Sequence, residues 1–374
     1  MQYRKWKNTG ETVSILGLGM MRLPTVKKDG KDCIDEQEAT RLTRYAIDHG
    51  INYIDTAYMY HDHQSEPFVG RVLQDGYRQK VLLASKSPCG GFTSPDDFDR
   101  ILNEQLEKLQ TDHLDFYLLH GIGRDSWEKA VLPLGLLDKM QTAKASGKIR
   151  HIGFSFHDDF EAFRMIVDAT DIWEFCQIQL NYADTAHQAG IAGLEYAAAK
   201  GLDVIIMEPL RGGKLAAPTQ NVKEKLSAQK TPAEWGLDFL WDRSEVGTVL
   251  SGMSTMEQLQ ENLAFADRAH AGMLRQEEKE MLYAAGEVFN NGALVRCTHC
   301  DYCMPCPFGL AIPEIMQIYN STATSWIGAA REAYQKLDVK VDSCRSCKKC
   351  EKACPQQIEI SAVMPKVAAL LAEE

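Results

Sequence analysis

Eight of the eleven cysteines lie between Cys297 and Cys354, in two runs of near-identical spacing. The first run is Cys297, Cys300, Cys303 and Cys306, followed by Pro307. The second is Cys344, Cys347, Cys350 and Cys354, followed by Pro355. The first three cysteines of the runs are offset by 47 residues and the fourth by 48, so two copies of one unit differ by a single missing residue. The repeat extends further: Ile312 and Met316 in the first copy answer to Ile360 and Met364 in the second. The chain starts on a polar stretch, Met1 to Trp6, with no apolar segment behind a basic end. It is therefore expected in the cytoplasm, where thiols stay reduced and four disulfides are disfavoured. Thiolates in sets of four are instead soft metal ligands, suited to iron–sulfur sites or to tetrahedral zinc.

The residues ahead of these runs read differently. Short apolar runs alternate with longer amphipathic ones, as in a parallel sheet with crossover helices. Eight strands are expected: 14–19, 51–57, 81–86, 114–120, 152–155, 175–181, 204–209 and 247–252. Helix-like segments lie between them, and Gly50, Gly147 and Gly201 stand where helices should stop. Gly17-Leu18-Gly19 is followed by Met20-Met21-Arg22, so the G-x-G-x-x-G turn of a doubly wound sheet is missing. The expected fold is an α/β chain: a (β/α)8 TIM barrel over 1–290 and a small helical ferredoxin-like iron–sulfur domain over 291–374. No apolar run reaches the ~18 residues of a membrane span, and the net charge of -11 argues against nucleic acid as a partner.

In barrels of this kind the chemistry gathers where strands end. Strand two ends in Asp55-Thr56-Ala57 with Tyr60 just beyond, strand three ends in Lys86, and strand four ends in His120. An acid, a phenol, an ammonium and an imidazole thus gather at one rim.

With Gly17-Leu18-Gly19, Ser65-Glu66 and Glu261-Asn262, this set resembles the aldo-keto reductase superfamily over most of residues 10 to 270. The resemblance implies a catalytic tetrad of Asp55, Tyr60, Lys86 and His120, with Tyr60 as general acid. It implies nicotinamide-carboxamide contacts at Ser155 and Gln177, and adenine-side contacts at Glu261 and Asn262. Gly19, Met20, Met207, Pro209, Leu210, Arg211 and Gly213 complete the implied cofactor set, together with Gly252 and Gln258. The last two stand where NADPH-using relatives carry Lys and Arg, and Met207 stands where a stacking aromatic is common. NAD and NADP therefore both stay open, with Arg211 and Lys214 as candidate replacement cations. Arg211-Gly212-Gly213-Lys214 is also a basic, glycine-rich loop of the kind that suits a pyrophosphate.

The second cysteine run matches the ferredoxin pattern C-x2-C-x2-C-x3-C-P without a gap. That resemblance implies that each fourth cysteine serves the other cluster. Cys297, Cys300, Cys303 and Cys354 would then hold one [4Fe–4S] cluster, and Cys344, Cys347, Cys350 and Cys306 the other. Zinc at these cysteines, or a single cluster, are the alternatives.

Two functions fit. One is an NAD(P)H-dependent reductase of an aldehyde or ketone that carries clusters in a C-terminal cap. The other is an electron-transfer protein that links a nicotinamide, or a flavin the sequence does not announce, to a ferredoxin-like partner. His61, His63 and Trp127 are candidate pocket residues.

Overall fold

The structure, a computed structural model, describes residues 1–28, 30–323 and 327–371. The chain groups into two compact units, one of residues 1–209 with 234–276 and one of residues 210–233 with 277–374.

The first unit is a closed barrel of eight parallel strands in chain order. They are β1 (Leu16–Gly19), β2 (Tyr53–Asp55), β3 (Leu82–Ser87), β4 (Leu114–Ile122), β5 (Ile149–Phe156), β6 (Phe175–Gln179), β7 (Asp203–Met207) and β8 (Val246–Ser251). Val249 beside Leu16 and Ser251 beside Leu18 close the ring. The strands are buried on both faces, which is why they read as apolar runs rather than as alternations. Between them run α1 (Glu36–Asp48), α2 (Ser65–Val72), α3 (Asp96–Lys108), α4 (Leu136–Ala145), α5 (Phe160–Asp168), α6 (Gly190–Ala199), α7 (Pro232–Trp241) and α8 (Met256–Arg268).

Local chemistry sets the helix ends. Asp35, Asp159 and Thr255 accept the amides of Glu38, Ala162 and Gln258, capping α1, α5 and α8. Gly50, Gly147 and Gly201 follow α1, α4 and α6 with φ of 98°, 78° and 86°, a left-handed turn that a side chain resists.

The barrel floor is aromatic. A two-stranded hairpin, Tyr3–Lys5 with Thr12–Ser14, brings Trp6 against Phe116 (ring centroids 5.3 Å apart) and Tyr53 (6.1 Å). Phe175, at the start of β6, joins this plug with Ile205 and Leu250. The opposite, C-terminal rim is therefore the open end for side chains. One irregularity matters there. Strand β4 runs past its expected end at His120 to Ile122, with a register shift between Leu119 and Ile122. Gly121 takes up the shift with φ of 61°, so His120 sits at a bulge.

The second unit contains most of α9 (Gln276–Asn291), then α10 (Ile312–Ser321), α11 (Ile327–Gln335) and α12 (Ile360–Leu371). Ile312, Met316, Ile360 and Met364 meet in one core with Tyr334 and Val367. The two copies of the repeat thus bury the same positions against each other. Six of the eight crowded cysteines pack on the edge of this core. No helix among the described residues is long and apolar enough to cross a membrane.

Candidate functional site

The barrel rim brings all four tetrad residues together. Asp55 ends β2, Lys86 lies on β3, and β2–β3 pairing sets Asp55 beside Ala84. The Lys86 ammonium donates to Asp55 Oδ1 at 2.6 Å, to the Thr56 carbonyl at 2.8 Å and to Tyr60 Oη at 3.2 Å. Asp55 is 2% exposed and Lys86 0%. Burial pushes the Asp55 carboxyl up and the Lys86 ammonium down, and each is held charged by the other. The His120 ring stands edge-on to Tyr60, centroids 6.0 Å apart. Burial, then Lys86 and His157, hold the His120 imidazole well below its ordinary pKa, so it is neutral and carries one N–H.

Tyr60 is placed by a turn that the sequence does not announce. His61, Asp62 and His63 all have positive φ, between 51° and 65°. Such a run of L-residues costs about 1–2 kcal/mol per residue and needs external support. The imidazoles supply it. His61 Nε2 accepts the Leu23 amide at 3.3 Å, and His63 Nδ1 lies 2.9 Å from the Tyr58 carbonyl. Thr56 and Ser65 hydroxyls join at 2.8 Å across the same turn. Trp127 is buried, its ring centroid 6.2 Å from that of Trp173.

Behind Lys86 lies a polar network. Ser85 and Gln105 both donate to Glu66 Oε1 at 2.6 Å, and Gln105 also donates to the Lys86 carbonyl at 3.1 Å. Burial pushes the Glu66 carboxyl up. Glu66 therefore braces the backbone of Lys86, a role its place in the sequence does not reveal.

The expected cofactor positions divide between the units. In the barrel, Gln177 is 2% exposed and its Oε1 has no hydrogen-bond partner among the described residues, while Nε2 contacts Met207 Sδ at 3.5 Å. Ser155 Oγ, also buried, accepts the Gly121 amide at 2.7 Å. A buried acceptor and a buried hydroxyl fit the two ends of a carboxamide. Gly19 ends β1, Met20 is buried after it, and the Met20 carbonyl accepts Ser65 Oγ at 3.4 Å. Pro209 is buried. Gln258 Oε1 accepts the Ser254 amide at 2.9 Å, and Asn262 donates to Ser251 Oγ at 3.2 Å. Glu261 is exposed on α8.

Gly252 adjoins a cation the sequence reading missed. A Cβ there would lie 3.0 Å from Arg22 Cβ, so the Arg22 side chain packs over the space a residue 252 side chain would take.

Leu210, Arg211 and Gly213 fall in the second unit. Arg211 is 1% exposed, lies 5.3 Å over the Phe289 ring and donates to Asn290 Oδ1 at 3.3 Å. Gly213 is exposed, and Lys214 Nζ donates to the Cys297 carbonyl. A separate concavity at the strand starts is lined by Arg78, Asp115 and Arg150, whose charges pair with one another at 2.7–2.9 Å.

The two cysteine runs share left-handed residues at matching positions. His299 and Ser346 have φ of 57° and 50°, and Asp301 and Lys348 have 64° and 58°, each pair 47 residues apart. Gly309 and Gln357 repeat the left-handed turn after the fourth cysteine, 48 residues apart. Left-handed residues of this kind recur in the anion-binding nests of iron–sulfur sites. Among the described residues no three His, Cys, Asp or Glu side chains are grouped closely enough to hold a metal ion, but the thiols act on one another across the runs. Cys300, Cys297 and Cys354 all act on Cys303, whereas Cys306 acts on Cys350. Burial, reinforced by neighbouring thiols, pushes the thiols of Cys297, Cys303 and Cys350 up. Soft thiolates are the donors that iron in a sulfur-rich site takes, so the residue set fits an iron–sulfur cluster.

The aldo/keto reductase family matches residues 15–271, more than half of the chain. The chain belongs to the aldo/keto reductase family. A 4Fe-4S dicluster domain matches residues 296–359 of this reductase. Protein tas of Escherichia coli is 26% identical over 328 residues, 70% of this chain and 92% of that protein. L-galactose dehydrogenase of Arabidopsis thaliana is 27% identical over 293 residues, 71% of this chain and 88% of that one. Among solved structures, an aldo-keto reductase from Klebsiella pneumoniae in complex with NADPH aligns with a TM-score of 0.62 and 25% identity, over 77% of this chain and 96% of that one. The family-level assignment makes this chain an oxidoreductase with an iron–sulfur domain.

Proposed function

We propose that this reductase reduces an aldehyde or ketone with NAD(P)H, with Tyr60 as general acid. The observation that carries the reading is the Lys86 ammonium, in reach of both Asp55 and Tyr60. Ser155 and Gln177 would hold the carboxamide, and Gly19, Met20, Met207, Pro209, Gln258, Glu261 and Asn262 the rest of the dinucleotide. Leu210, Arg211 and Gly213 enter on family resemblance. Bound there, the nicotinamide supplies a hydride to the carbonyl carbon. Tyr60 Oη gives a proton to the carbonyl oxygen and regains one from solvent. The Lys86 ammonium favours the transient phenolate. Neutral His120 donates to the carbonyl oxygen as negative charge builds on it. Arg22, packed over Gly252, is read as the cation that meets a 2′-phosphate, which favours NADP.

The proposed division into a barrel and an iron–sulfur module falls at 290/291, and the proposed setting is the cytoplasm. Two [4Fe–4S] clusters are proposed, one on Cys297, Cys300, Cys303 and Cys354 and one on Cys344, Cys347, Cys350 and Cys306, on the strength of the repeated φ pattern and of the thiols' action on one another across the runs. Bound clusters supply one-electron chemistry. That favours the second reading, electron transfer between a nicotinamide or flavin and a ferredoxin-like partner, as an added rather than a rival role.

The test is Tyr60→Phe. Loss of carbonyl reduction with NADPH binding retained supports the reading, whereas a fully active variant overturns it. Anaerobic titration with NADH and NADPH, following cluster absorbance, tests the second role: bleaching supports it.

A further inference from the structure

We propose that the second cysteine run is the docking face for an acidic one-electron carrier protein. Arg345, Lys348, Lys349 and Lys352 fall within eight residues and all four side chains are exposed. Among the described residues none of them forms a salt bridge. The one acid in the segment, Glu351, accepts the Ser361 amide at 2.7 Å and the Ser361 hydroxyl, and of the four cations Lys348 alone acts on its charge. The segment therefore keeps an excess of positive charge on a chain whose net charge is -11.

The internal repeat shows that this charge is not part of the cysteine scaffold. At the matching positions the first run carries Thr298 for Arg345, Asp301 for Lys348 and Tyr302 for Lys349. Left-handed residues stand at the matching positions of both runs, whereas the charge differs. Cys347 lies amid these cations, and of the eleven cysteines it alone is exposed. This inference rests on the reading that Cys347 is a cluster ligand. The cations thus flank in sequence the most exposed of the cysteines that would hold that cluster.

A local basic patch on an acidic protein attracts a small acidic partner and orients it, while the rest of the surface repels extended polyanions. One electron leaves the reduced carrier, which is oxidised, and enters the cluster behind Cys347, which is reduced. No bond forms and no proton moves.

The experiment mixes anaerobically purified, iron-loaded protein with a reduced acidic bacterial ferredoxin in a stopped-flow instrument, across a range of ionic strengths. A basic cytochrome c and a short DNA duplex serve as comparison ligands in parallel binding titrations. The second-order rate of ferredoxin oxidation should fall ~10-fold or more from low to high salt, as for steered association. The double variant Lys349→Glu, Lys352→Glu should lower the low-salt rate by a similar factor, with iron content and NADPH-dependent carbonyl reduction unchanged. Lys349→Arg, Lys352→Arg should restore it. Should the glutamate variant lose iron, Lys349→Gln, Lys352→Gln replaces it. A salt-independent rate, an unaffected double variant, or equal binding of the duplex overturns the docking face while leaving the reductase and cluster readings intact. Iron-free wild-type protein overturns the cluster reading and the docking face with it.

Discussion

Lys86 Nζ and Asp55 Oδ1 stand 2.6 Å apart with both side chains buried. A buried pair of this kind is costly to break, because one partner alone leaves an uncompensated charge. Lys86→Met should destabilise the fold by about 3–5 kcal/mol and lower kcat/KM for carbonyl reduction by ~10²–10⁴-fold. The double variant Asp55→Asn, Lys86→Met should recover most of the stability and none of the rate. Denaturant melts and steady-state kinetics on the same preparations check this. A double variant as unstable as the single one would show that the pair is not the issue.

Arg22 packs over Gly252. A guanidinium–phosphate contact contributes about 1.5–3 kcal/mol. Arg22→Ala should raise KM for NADPH by ~10-fold or more and leave KM for NADH nearly unchanged. Equal effects on both cofactors would remove Arg22 from the 2′-phosphate site.

Acid should weaken the barrel before most carboxylates titrate. Burial, helped by His187 and Lys86, brings His157 down to about 4 despite its Gln188 hydrogen bond. Burial likewise lowers His120 and His61. In the unfolded chain each titrates near ~6.5. Between those values the unfolded state binds more protons, so stability falls as pH falls from about 6.5 toward 4. Melting temperatures across this window should drop, and His157→Gln should flatten the slope. A flat wild-type profile contradicts the assignment.

Lys214 donates to the carbonyl of Cys297 and its charge acts on the Cys297 thiol. A fixed cation there favours the more negative, reduced form of a cluster held by Cys297. Lys214→Met should move one cluster to a more negative midpoint in a redox titration followed by electron paramagnetic resonance, with iron content retained. An unchanged midpoint would limit Lys214 to a structural contact.

Much of this protein was legible in one dimension. Local signals carried the eight strands, the glycine stops after α1, α4 and α6, and the twin cysteine runs, because each depends on residues close in sequence. The gathering of Asp55, Tyr60, Lys86 and His120 was legible too, since strand ends of a closed parallel barrel share one rim. Strand ends were less so: β4 overran His120 through a bulge that pairing with β5 imposes.

The residues that escaped the sequence are those whose partners lie far along the chain. Arg22 meets Gly252 only because β8 closes on β1. His61 supports the turn at Tyr60 by reaching the Leu23 amide, 38 residues back. Lys214 reads as a phosphate-binding residue in sequence, yet it reaches Cys297, 83 residues on. Sequence determined the elements and the chemistry each run of residues can carry. Only the tertiary structure decided which side chains serve one another, because burial and ring closure, not proximity in the chain, choose the partners of a buried charge.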